Sequence, residues 1–266
     1  MFVRRHPVSS YFVFTYAISW AGALLVAAPQ LVHHRSLPPL TGVLMFPAML
    51  LGPCIAGIVM TRIVDGPTGL RHLFRRMLRF RIALRWYAAL LLPPALILTL
   101  LFFLERFASP VYAPNRFLIG VFFGVPAGLL EEIGWTGYAF PKMSRGDGLR
   151  PAMALGLLWA TWHLPVVNFL GTAVPHGSYW LPFFLAFALA MTAMRVLICW
   201  IYTNTKSVSM AQLMHVSSTG SLVLFSPPRV TAAQEVMWYA LYAILLWLTV
   251  AFVVRSNGKN LGTHLA

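Results

Sequence analysis

The sequence predicts an all-α, polytopic membrane protein: about eight transmembrane helices in one bundle, with residues 1–266 forming a single membrane domain. Three observations carry this. First, hydrophobic types make up 59% of the 266 residues and charged types 10%, against about 25% charged in an ordinary soluble domain. Mean hydropathy is +0.75. So few polar side chains cannot cover a water-soluble globule, which excludes a cytosolic enzyme and a disordered chain. Second, the apolar residues gather into segments near 11–30, 40–61, 86–104, 117–141, 151–171, 179–201, 207–226 and 236–254. These are close to the ~20 residues a helix needs to cross a bilayer. Third, the basic residues alternate between loops. With Arg4 and Arg5 inside, fifteen of the 20 Lys and Arg fall on the cytoplasmic side. Only Arg35, Arg106, Arg116 and Arg229 fall outside, as the positive-inside rule requires. Both termini are then cytoplasmic, and the protein is a multi-pass resident of the cell membrane.

The segments are taken in order. The first is rich in Tyr and Phe and lacks a clean cleavage site, so it reads as a retained span rather than a signal peptide. After the second, RHLFRRMLRFRIALRW (71–86) repeats Arg71, Arg75 and Arg79 every four residues. This predicts a helix lying in the cytoplasmic interface, its bases toward anionic headgroups. The bases otherwise sit between apolar blocks, not in the dense runs of a nucleic-acid binder. Pro93, Pro94, Pro126 and Pro182 lie in or near spans and are candidate bends. The loop at 172–178 is short and uncharged. Cys54 and Cys199 are isolated in apolar surroundings and imply neither a disulfide framework nor a metal knuckle.

The chemistry lies in the fourth, fifth and seventh segments. FLIGVFFGVPAGLLEEIGWTGYAFP (117–141) places Glu131 and Glu132 about ten residues from its cytoplasmic end, roughly 15 Å deep at 1.5 Å per residue. Ionisable groups at such depth face a cavity or the bundle interior. Adjacent helix positions differ by about 100°, so only one of the two carboxylates points at a common centre. LLWATWHLPVVNF (157–169) carries His163 with Trp159 one turn earlier, and SVSMAQLMHVSSTGS (207–221) carries His215 with Thr219 one turn later. Three spans therefore bring ionisable groups to a similar depth on one side. A carboxylate and a histidine can hold and deprotonate a water, while a second histidine stabilises the oxyanion of a hydrated amide. Glu131, His163 and His215 could also ligate zinc with an open water position, although the spacing is not the helical H-E-x-x-H pattern. Either route predicts hydrolysis inside the membrane boundary, open to the cytoplasm. A proton-coupled transporter could use the same residue types, but no inverted repeat or pair of broken spans is evident.

At these residues the sequence resembles the CPBP family of intramembrane endopeptidases, which includes the CAAX prenyl proteases and bacterial Abi proteins. The family pattern of two glutamates, three residues and an arginine is matched by Glu131 and Glu132. An aromatic three residues before a histidine is matched by Trp159 and His163, and the third-motif histidine by His215. The resemblance is good over about 117–221, the family-like catalytic core. It implies an eight-helix bundle in which Glu131 and His163 activate water, Glu132 supports the site, and His215 helps form the oxyanion hole, with no cofactor required and zinc an open option. It implies a hydrophobic or lipidated peptide or protein as substrate, membrane lipid as surroundings and no nucleic acid. Eukaryotic members remove the last three residues of prenylated CAAX proteins; some bacterial relatives instead serve in bacteriocin immunity or membrane anchoring. Two positions depart from the pattern. Thr136 stands where the arginine would be, and Thr219 where the family has asparagine or aspartate. Arg195, inside the sixth segment, is the candidate to supply Glu132 with the missing charge.

Overall fold

The computed structural model describes residues 2–33, 38–144, 147–169 and 176–262. Among them the chain is helical, with no strand. The long elements are α1 (Pro7–Val32), α2 (Pro39–Val64), α3 (Gly66–Met77), α4 (Leu92–Phe107), α5 (Gly120–Gly134), α6 (Leu149–Trp162), α7 (Trp180–Thr205), α8 (Val208–Phe225) and α9 (Ala232–Asn257). Short turns adjoin them at Leu84–Ala89, before α4, and at Leu164–Phe169, after α6. Arg35, Arg145, the end of the fifth expected span and most of the 172–178 loop lie outside the described residues.

Among the described residues every expected segment is helical, but five helices are long and apolar enough to cross a membrane: Pro7–Val32, Leu40–Val64, Leu84–Phe107, Gly177–Thr205 and Ala232–Asn257. The three that fall short are α5, α6 and α8, which carry Glu131, Glu132, His163 and His215. α6 has only 14 residues before the break at His163, and Gln212, His215 and four serines dilute α8. The bundle accommodates them by layering. Leu25, Phe102, Phe122, Leu185, Leu248 and Phe252 are exposed, as a lipid-facing surface requires. α7 stands at the centre, buried without a break from Ala190 to Cys199.

The candidate bends resolve differently. Pro93, Pro94 and Pro182 occupy first turns, where proline costs no hydrogen bond. Pro126 is the one of the four inside a helix. The basic stretch is shifted relative to expectation, because the amphipathic helix begins at Gly66, stops at Met77 and does not run through 78–83. Side chains take over its carbonyls there. Ser209 donates to Met77 O, Ser207 to Arg79 O at 2.7 Å and Tyr87 to Phe80 O at 2.6 Å. Phe74, Leu78, Phe80 and Leu84 are left exposed.

One end of the bundle gathers the bases. Arg4 donates to Ile63 O at 3.1 Å, Lys142 pairs with Asp65 at 2.8 Å, and Leu149 N bonds Lys259 O at 2.8 Å. The N-terminus, α3, the chain after α5 and the C-terminal segment thus share this basic end.

Candidate active site

Close helix contacts set the site. Along α5, a Cβ on Gly124 would lie 2.7 Å from Gly220 N, and one on Gly128 2.6 Å from Gln212 O. Backbone meets backbone, as small residues allow between membrane helices, and His215 of α8 is drawn onto Glu132. A Cβ on Gly156 would lie 2.7 Å from Thr192 Cα. This contact of α6 with α7 is one turn from both Trp159 and Arg195, whose guanidinium carbon stands 4.2 Å from the Trp159 ring centre. A turn of π-helix, Trp135–Ala139, follows α5 and leads into Phe140–Met143. Such single turns recur beside functional sites. Here Arg76 reaches the carbonyl of Gly137 at 2.7 Å.

The two glutamates are both buried but have different partners. Glu132 is held by charge. Arg195 Nη1 donates to both of its oxygens at 2.8 Å, His215 Nδ1 bonds Oε1 at 2.7 Å, and the Thr136 hydroxyl donates to Oε2. Glu131 receives two neutral donors on Oε2, Trp159 Nε1 at 2.7 Å and Trp135 Nε1 at 3.1 Å. His163 caps the break after α6. Its Nδ1 faces Trp159 O at 2.7 Å, so Nδ1 donates and Nε2 of the neutral ring carries the free lone pair. The Trp159 ring lies edge-on to both histidines, with centroids 5.1 Å from each. Trp162 and Phe187 complete the aromatic surround of His163 at 4.8 and 5.5 Å.

Glu131, Glu132, His163 and His215 are therefore brought together around Trp159. Glu131 and His163 are linked through that tryptophan, its N–H on one and its carbonyl on the other. Arg195 stands where the missing charge was sought. Thr219, one turn beyond His215, is only partly buried and makes none of the bonds that hold Glu132. Trp135 is a site residue that the motifs did not single out; its signal was its place one turn after Glu131. As to zinc, among the described residues no group of three His, Cys, Asp or Glu side chains is placed to hold a metal ion.

Residues 113–220 match the family model described as type II CAAX prenyl endopeptidase, Rce1-like. CAAX prenyl protease 2 of Methanococcus maripaludis is 30% identical over 112 residues, which cover 40% of this chain and 39% of the relative. The match thus spans about two fifths of the length of that curated relative.

Proposed function

We propose that the chain is a member of the CPBP family, on the strength of its match to the Rce1-like model over residues 113–220, and an intramembrane endopeptidase cleaving a membrane-associated substrate. The substrate class is a hydrophobic or lipidated peptide or protein. The observation that carries the proposal is the division of labour between the glutamates: the cation sits on Glu132, and Glu131 is met only by neutral indole donors.

In the mechanism we infer, a water lies between Glu131 and His163 Nε2. Glu131 takes its proton, the hydroxide adds to the scissile carbonyl carbon, and the C–N bond breaks as that proton passes to the leaving amine. His163 orients the water by accepting a hydrogen bond at Nε2. His215, anchored through Nδ1 on Glu132, presents Nε2 to the oxyanion and donates there when that nitrogen is protonated. Arg195 and Thr136 fix Glu132 and, through it, His215. These steps use only side chains of this chain. The basic end faces the cytoplasm by the positive-inside rule, with α3 lying on anionic headgroups, so substrate and water reach the site from that side.

The test is comparative proteomics of membranes carrying the wild-type chain, Glu131→Gln or His163→Ala at equal protein levels. An uncut substrate accumulating in both variants supports the proposal. Unchanged membranes and retained biological function in both would place the chain with the non-catalytic immunity or anchoring relatives.

A further inference from the structure

Between Glu131 and the basic end stands a column of side chains from α1, the π turn and the end of α6. Its members are Ser10, Tyr11, Thr15, Tyr138 and Trp162, each at most 5% exposed. Each carries a side-chain O–H or N–H that makes no full hydrogen bond, although the Tyr11 and Thr15 hydroxyls approach one another. Ring contacts join Tyr138, Tyr11 and, through Trp135, Trp162. Tyr138 lies on the wall of a cleft of about 530 Å³ at the basic end, beside Asp65, Arg75, Arg76 and Lys142. The Tyr138 ring meets Tyr11 at 5.3 Å, Tyr11 meets Trp135 at 5.6 Å, Trp135 meets Trp162 at 5.8 Å, and Trp162 meets His163 at 4.8 Å. Ser10 adjoins Tyr11, and Thr15 is one turn further along α1. The Tyr11 hydroxyl rests on α5 itself, 2.3 Å from where a Cβ on Gly134 would sit, one turn past Glu131.

A buried donor with no partner costs about 1–3 kcal/mol, and within a bilayer no lipid tail relieves it. Phenylalanine would give the same ring contacts as Tyr11 and Tyr138 without that cost. Water relieves it where a space offers two to four polar partners, and this column provides such partners in sequence. We propose that Ser10, Tyr138, Tyr11, Thr15 and Trp162 hold a file of water running from the basic-end cleft to Glu131 and His163, with Tyr11 as its central positioning residue. The proposal rests on the hydrolytic reading of the site. Each cleavage consumes one water, whose oxygen ends in the new carboxylate. A centre enclosed by Trp135, Trp159 and Trp162 is resupplied along these hydroxyls without parting the helices.

The test is radiolytic hydroxyl labelling of the full chain in lipid nanodiscs, read by mass spectrometry, alongside peptide-cleavage kinetics. Tyr11, Tyr138 and Trp162 are expected to label several-fold faster than Trp238, which is equally buried in α9, and to do so in both the wild type and Glu131→Gln. Tyr11→Phe should suppress labelling at Trp162, the member beyond it, and lower kcat about tenfold at unchanged KM. Should Tyr11→Phe fail to fold, Tyr138→Phe at the cleft end serves the same comparison. Labelling no faster than at Trp238, or a hydroxyl deletion that leaves labelling and kcat unchanged, overturns the water file. A labelled column in a chain that cleaves nothing keeps the file and removes the hydrolytic reading; cleavage with an unlabelled column does the reverse.

Discussion

Glu131 and Glu132 are neighbours in one helix, equally buried, yet they live in different electrostatic worlds. The helical rotation between adjacent positions turns Glu132 toward α7 and α8, where Arg195 and His215 close a charged network on it. It turns Glu131 toward α6, whose Trp159 indole donates to it beside that of Trp135 on the π turn. A buried carboxylate gripped by a cation is a strut: its charge is already spoken for. A carboxylate held in place by neutral N–H groups keeps its direction and stays able to exchange a proton. Under the proposed mechanism, one sequence motif thus supplies both a reactive group and its support.

Substitutions at and around the pair test this contrast. The largest effect is expected from Glu131→Gln, a fall in kcat of about 10²- to 10⁴-fold. The amide oxygen still accepts from Trp135 and Trp159, so thermal unfolding in detergent should hardly move. Glu132→Gln should do the opposite, lowering stability by about 3–5 kcal/mol because Arg195 is left buried without its counter-charge. Arg195→Leu mirrors this loss, while Arg195→Lys, keeping charge but not the two-oxygen contact, should cost less in the same unfolding assay. Next comes Gly124→Ala, which should destabilise by about 1–3 kcal/mol through overpacking against α8. Gly220→Ala, where a Cβ meets nothing closer than 3.9 Å, is the matched control and should stay within about 0.5 kcal/mol. Thr136→Val removes one hydroxyl donor from Glu132 and should cost about 1 kcal/mol. Thr219→Ala should be the mildest, within about 0.5 kcal/mol of wild type; a loss of activity as deep as that of Glu131→Gln would give Thr219 a role in the oxyanion hole.

Much of this was legible in the sequence, for identifiable reasons. Composition and loop charge make the membrane bundle visible, and ionisable residues in apolar segments stand out because bilayers select against them. Arg195 could be singled out as the guanidinium in mid-span. The number of crossing helices was less legible, because the segments that bear the site are the shortest and most polar. The π turn left no sequence mark, since it is a change of hydrogen-bond register after Gly134 that no residue type announces. Trp135 was hidden for a related reason: tryptophans are common in such segments, and only the three-dimensional position of its indole shows that it serves Glu131. The end of the amphipathic helix at Met77 depends on Ser207 and Ser209, more than 120 residues away, beyond the reach of local periodicity.

The modest hydrophobicity of α5, α6 and α8 has a consequence for biogenesis. Segments interrupted by glutamate, histidine and serine partition poorly into lipid on their own, so their integration leans on the greasier neighbours made before and after them. The site around Glu131 therefore comes into being only when the last of these helices have docked, so the proposed chemistry is confined to the finished bundle.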